Sequence, residues 1–237
     1  MLAGIDHVVV LVGDLAEAED RYARLGFTVV PGGRHARGTN NALVPFEDGS
    51  YLELVAFFEP APEHRWWPAG QRGGGLVDVC LRTTDFAADL AAFDRAGLRY
   101  TDPAPWTRVR PDGYTLRWRL AFPPPADLGV APFLIEDDTP REARVPAAAP
   151  HANGVTGLVA VTIGARDPAR IAAVVAAAAG LDPTRSGLEV TLGPHRLEYV
   201  AAVGAAGPLA VTLAARAGAP RGPLDPGLTA GVRLAVA

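Results

Sequence analysis

The chain has no lysine: all 22 basic residues among its 237 are arginine. That absence removes Schiff-base chemistry and the lysine of a phosphate-binding P-loop. A single cysteine, Cys80, leaves no internal disulfide framework and no cysteine-rich zinc knuckle. Serine occurs only as Ser50 and Ser186, neither in a nucleophile elbow. No apolar run reaches the roughly 18 residues of a membrane helix, and the N-terminus enters a patterned strand without a basic lead. An intracellular, cytoplasmic protein is therefore expected. A net charge of −4 gives no general attraction for nucleic acid or an anionic membrane. The Ala-, Gly-, Pro- and Arg-rich usage fits a GC-rich bacterial genome. What remains is a metal, a His/Glu pair, or plain binding of a small molecule.

What is present is a repeat. GIDHVVVLVGDLAEAEDRYARLGF from Gly4 returns as GLVDVCLRTTDFAADLAAFDRAGL from Gly75, and again as GLVAVTIGARDPARIAAVVAAAAGL from Gly157. Between the first two copies Asp14 matches Asp85 and Gly26 matches Gly97 without a gap. Each copy reads as an apolar strand, a capping Asp, a helix and a Gly turn, so one supersecondary unit is used several times. At matched positions the first strands carry His7, Asp78 and Ala160.

In the first unit FTVV is expected as a second strand and PGGRHARGTN as a Gly-rich connection. NALVPF and YLELVAFF flank the turn EDGS as a hairpin. The unit is β-α-β-β-β. In the second, Arg110 to Gly113 is a turn, YTLRWRLAF alternates as a strand and APFLIED closes the unit. Trp66 and Trp67 lie in the connector between the two units, as a lid or a plug. The low-apolar segment DDTPREARVPAAAPHANG separates residues 1–140 from residues 155–237. The latter hold a third β-α-β-β-β unit and a truncated fourth without a helix.

Repeated units of this kind, with IDHVVVLV, GGRHARGTNNAL and YLELVAF in the first and WRLAF and PFLIED in the second, resemble the vicinal oxygen chelate superfamily, in its glyoxalase-like branch. The Gly-rich segment is one residue shorter than usual in that branch and lacks its Trp. The resemblance implies an α+β fold of tandem units whose mixed sheets curl into a cup, with first- and last-strand side chains of both units holding a divalent metal. Carried over, His7 is the first-strand ligand and Glu53 the last-strand ligand. Asp78 takes the place of His7 in unit two, and Glu136 (or Asp137) that of Glu53. Such a carboxylate-rich set suits Mn²⁺, Mg²⁺ or Fe²⁺, with Zn²⁺ and Ni²⁺ as further candidates.

Alternation places Ile5, His7 and Val9 on one face of the first strand. Glu53 sits in an otherwise apolar strand, so a metal, an arginine or solvent must compensate its charge. Under the metal reading Glu53 or Glu136 is the base for proton transfer in an isomerase, lyase or dioxygenase. His35 and Asn41 are candidate substrate contacts beside the glycines. Of strand YTLRWRLAF, either the face bearing Trp118 or the face bearing Arg119 lines the cup. Cys80 reads as a small buried hydrophobe; His64, His151 and His195 lie in loops or turns without a functional signal. The other reading is a metal-free protein, monomer or homodimer, that binds or sequesters a small molecule, as antibiotic-resistance members do.

Overall fold

The computed structural model describes residues 2–110, 112–147 and 149–237; Pro111, part of the expected Arg110 to Gly113 turn, lies outside them. Unit one comprises β1 (Leu2–Leu11), α1 (Leu15–Arg24), β2 (Val30–His35), β3 (Thr39–Pro45) and β4 (Tyr51–Phe57). A connector with the short α2 (Trp67–Gly70) leads to unit two: β5 (Gly75–Thr83), α3 (Phe86–Arg95), β6 (Ala104–Val109), β7 (Thr115–Ala121) and β8 (Phe133–Asp137). The linker carries α4 (Arg141–Arg144). Then follow β9 (Val155–Ala165), α5 (Pro168–Ala178), α6 (Pro183–Ser186), β10 (Glu189–Leu192), β11 (His195–Ala201), β12 (Gly207–Ala215), β13 (Gly222–Pro223) and β14 (Arg233–Val236).

The repeat is visible in the caps. Asp14, Asp85 and Asp167 each accept the backbone N–H three residues on, at 2.9, 3.0 and 3.0 Å, satisfying a donor that the first helical turn leaves open. Eight strands close into a barrel in the order β1-β4-β3-β2-β6-β7-β8-β5, so the two units meet at the seams β1–β5 and β2–β6. The remaining six form a second sheet, β10-β11-β9-β12-β14-β13. This is the expected α+β architecture of curled mixed sheets. The third unit departs from expectation, with two strands after α5 instead of three; α6 precedes β10.

Two apolar clusters divide the labour. One joins the outer face of β1 (Val8, Val10), with Val12 just beyond it, to α1, α3, α5 and the second sheet through Val161, Ile163 and Val211. The other fills the barrel with Val9, Leu11, Val55, Cys80, Leu116, Trp118 and Phe133. Two histidines fasten barrel to sheet. His195 accepts the Ile5 N–H through Nδ1 at 3.0 Å and turns Nε2 to Asp48 at 3.3 Å, while Asp48 also receives the Leu158 N–H at 2.8 Å. His151 accepts the Thr28 N–H at 2.9 Å and donates to the Pro45 carbonyl at 3.0 Å. Both are structural, each imidazole bridging two hydrogen-bonding partners on different elements.

Candidate functional site

Strand register decides which residues of the repeat are equivalent. In unit one β1 runs parallel to β4 with Val9 opposite Glu53. In unit two Cys80 stands opposite Phe133, and in the third unit Thr162 opposite Glu198. The last-strand counterpart of Glu53 is therefore Phe133, three residues before the expected Glu136. Glu136 and Arg119 pair on the outside of the barrel, Arg119 Nη2 donating to Glu136 Oε2 at 3.0 Å and Nε to Asp138 at 2.9 Å. Period-two alternation is the reason: with Ile135 and Trp118 inward, Glu136 and Arg119 must point outward. Asp137 does face inward, but it is bound by Arg144, whose Nη2 donates to it at 2.8 Å.

The inward residues enclose a cavity of about 430 Å³. His7, Glu53, His35, Asn41 and Trp118 all line it, and Asp78 does not. A register shift between Ile5 and His7 breaks the expected alternation, sending Ile5 to the outer cluster while His7, Val9 and Leu11 face inward. At this bulge Asp6 Oδ1 lies 2.7 Å from His7 Nδ1. Arg144 donates to both Asp6 oxygens at 3.1 Å and to the Tyr51 hydroxyl at 2.7 Å; Arg141 also pairs with Asp6. Burial pushes the Asp6 carboxyl up, but Arg144, His7 and Arg141 outweigh it and hold the group well below the usual range. Asp6 is thus an acceptor, His7 Nδ1 carries the hydrogen, and Nε2 is turned toward Glu53 Oε2 at 3.4 Å.

Glu53 is compensated as its apolar strand requires. Asn41 donates to it at 2.6 Å and His35 Nε2 lies 4.0 Å away. Burial works against its charge, yet His7, His35 and the Asn41 bond keep the carboxyl below its ordinary value. Arg108 holds Asn41 in turn, at 3.2 Å. His35 is bonded through Nδ1 to Thr39 at 2.9 Å; burial pulls the imidazole below its ordinary value while Glu53 opposes it. The glycines expected as a connection are part of β2 itself. A Cβ at Gly32 would lie 2.0 Å from Asn41 Oδ1, and one at Gly33 would lie 2.7 Å from the Val109 carbonyl across the β2–β6 seam. Without side chains there, the seam closes and Asn41 reaches Glu53.

The second half of the cup is differently made. Asp78 takes the Trp66 indole N–H at 3.1 Å and the Val79 N–H at 3.0 Å, with Arg65 Nε 3.5 Å away. Its carboxyl is pushed up by burial. Trp66 is thus the plug between the units. Arg65 and His64 also line the cup, and no sequence signal marks either. Burial and the neighbouring Arg65 push His64 down to about 4, so it is neutral. Exposed Arg37, Glu59 and Glu63 form the rim.

These donors do not make the four-ligand metal centre that the resemblance implies. Phe133 holds one ligand position, and Asp78, at another, is engaged by Trp66 and Arg65. Among the described residues one trio of His, Cys, Asp or Glu donors comes together within 4.8 Å: Asp6, His7 and Cys80. There Asp6 is already bound by two arginines, and burial pushes the Cys80 thiol well above its usual range, where it stays protonated.

Two β-α-β-β-β units closed around an inward cup define the vicinal oxygen chelate architecture. A glyoxalase-like domain model matches residues 5–179, and the chain belongs to that family. A crystal structure of a hypothetical protein from Staphylococcus aureus overlays at TM-score 0.72, with 14% identity, over 98% of each chain. A mutant of 4-hydroxymandelate synthase from Streptomyces coelicolor overlays at 0.59, with 12% identity, over 90% of this chain and 71% of that one. Methylmalonyl-CoA epimerase from Mycobacterium tuberculosis is 25% identical over 60% of this chain and 92% of its own, at TM-score 0.44. The first two overlays speak for the fold alone and leave the chemistry to the side chains. No curated protein matches the chain.

Proposed function

We propose that the barrel is a binding cup for a flat small molecule and that it works without a resident metal ion. The observation that carries this reading is the identity of the four matched positions: His7 and Glu53 in one half, an arginine-paired Asp78 and an apolar Phe133 in the other. A metal-dependent isomerase, lyase or dioxygenase needs more open donors than these supply. The walls supply aromatic faces instead, with Trp66, Trp106, Trp118, Phe122 and Phe133 around about 430 Å³, a volume suited to a small ligand.

A second reading rests on one further geometric fact. Asp6 fixes the His7 tautomer and Glu53 stands 3.4 Å beyond Nε2, so a bound ligand with an acidic C–H or O–H meets an oriented base. Binding and proton transfer are then successive uses of one cup.

The test has two arms. The protein is dialysed against Mn²⁺, Fe²⁺, Zn²⁺ and Ni²⁺ and its metal content measured; flat aromatic ligands are then titrated by tryptophan fluorescence after chelator treatment. Substoichiometric metal with saturable quenching is expected. One tightly held ion per chain, lost in His7→Ala, overturns the metal-free reading. Proton transfer is read by deuterium exchange into a bound ligand, lost in His7→Gln with binding kept.

A further inference from the structure

Arg65 comes from the connector and enters the barrel from the unit-two side. Its guanidinium lies 3.6 Å from the ring centre of Phe122, 4.5 Å from that of Phe133 and 4.6 Å from that of Trp66. Aromatic faces hold the cation by their quadrupoles. Its neighbours Asp78 and Phe133 are the first- and last-strand positions that match His7 and Glu53. The cation therefore stands where the second half of a metal site would be.

Its hydrogen bonds are unfinished. Nε and Nη1 are buried and make no hydrogen bond among the described residues. Asp78 lies near Nε but takes its own bonds from Trp66 and Val79. A guanidinium has five N–H donors, and a buried arginine kept only for structure spends them on protein acceptors, as Arg144 does with Asp6 and Asp137. Burial lowers the group to about 10, with Asp78 opposing, so it stays charged at neutral pH.

Resting on the metal-free cup, we propose that Arg65 is its anion receptor, taking the electrostatic place of the absent metal and binding the carboxylate of a flat aromatic acid. The shape of the guanidinium selects the class. Rings cover the guanidinium and Arg65 lines the cup, so a planar carboxylate entering in the guanidinium plane can accept its N–H bonds. A tetrahedral phosphate would press a further oxygen against Phe122, Phe133 or Trp66. The acid's ring then lies among Trp106, Trp118 and Phe122, which all line the cup.

Binding of 2-naphthoate and of its neutral amide is measured by calorimetry on the wild type, Arg65→Met and Asp78→Asn. Thermal melting confirms that each variant folds. The wild type is expected to bind the acid at least about tenfold more tightly than the amide, the scale of a charge-assisted pair. Arg65→Met should bind acid and amide alike, retaining the amide affinity. Asp78→Asn, which removes the competing carboxylate and leaves Arg65 in place, should tighten the acid several-fold. If Arg65→Met fails to fold, the Asp78→Asn arm decides. Acid affinity that is unchanged in whichever variants fold overturns the proposal while the cup reading stands. If neither compound binds the wild type, the cup reading fails first.

Discussion

The two halves of the barrel share one backbone plan and oppose each other in chemistry. At the first-strand position unit one has His7, held by Asp6 and facing Glu53; unit two has Asp78, covered by Trp66 and Arg65. At the last-strand position Glu53 is answered by Phe133. Even the residue before His7 differs: buried Asp6 against Val77. Apolar alternation and capped helices suffice to build the cup, so the inward positions are free to diverge. One half has become a polar cluster of imidazoles and a carboxylate, the other a cation in an aromatic box.

The largest test of this contrast concerns Arg144, which ties the polar half together. Arg144→Met removes the guanidinium but leaves Asp6 buried and Asp137 half-buried. Breaking one partner of a buried pair costs about 3–5 kcal/mol, so a loss of that size is expected in urea unfolding. A loss below about 1 kcal/mol, ordinary for an exposed pair, would show that water reaches Asp6.

Next comes an attempt to erase the asymmetry. In the double variant Arg65→Ala, Phe133→Glu, unit two carries a freed Asp78 and a carboxylate opposite Cys80, matching unit one. It should take up Mn²⁺ or Zn²⁺ stoichiometrically in equilibrium dialysis where the wild type stays substoichiometric. A folded double variant without metal would mean that register alone does not bring four donors together.

Acid reads the same contrast. The Asp6 carboxyl is held well below its ordinary 3.8 when folded, so its contribution is fully present above that pH and is lost as pH falls toward the folded value. The wild type should therefore lose stability steeply below about pH 4, the unfolded value of an Asp. Asp6→Asn should be less stable at pH 7 and flatter across the acid range. Parallel pH curves for the two would assign the acid sensitivity to other groups, with Glu53 first among them, since its carboxyl is also held low.

Much of this was legible in the sequence for a physical reason: caps and periodicity are local. Asp14, Asp85 and Asp167 sit where the spacing places them, and the hairpin ending in YLELVAFF carries Glu53 inward. Register is not local. APFLIED contains two acids and one Phe, and only its pairing with β5 reveals that the Phe is the counterpart of Glu53. The bulge at Asp6 is equally invisible to alternation, which assigns Ile5 to the wrong face. β6 escaped because APWTRV is half exposed and has one proline before it and one within it; the second strand, expected over FTVV, begins only at Val30 and runs through the two glycines that read as a loop. Arg65 lies in a Pro- and Gly-punctuated connector, where no periodicity says which way a side chain points. The sequence resemblance to the superfamily supplied His7 and Glu53; it could not announce that the partner half had been rebuilt.

The smallest effect is expected where the sequence reading and the geometry part most sharply. Arg119 was a candidate substrate contact, yet its side chain is 39% exposed, bonded to Glu136 and Asp138 and set over the Phe86 ring on the outside of the barrel. Arg119→Ala should leave aromatic-acid affinity within twofold of the wild type, about 0.4 kcal/mol. Its stability should fall by no more than about 1 kcal/mol, because solvent screens both pairs. Its neighbour supplies the contrast: Trp118→Ala, one residue away and inward, should lose ligand binding together with the fluorescence that reports it. Equal losses in the two variants would mean that β7 turns its other face to the cup and that the inward assignment of Phe133 has to be redrawn.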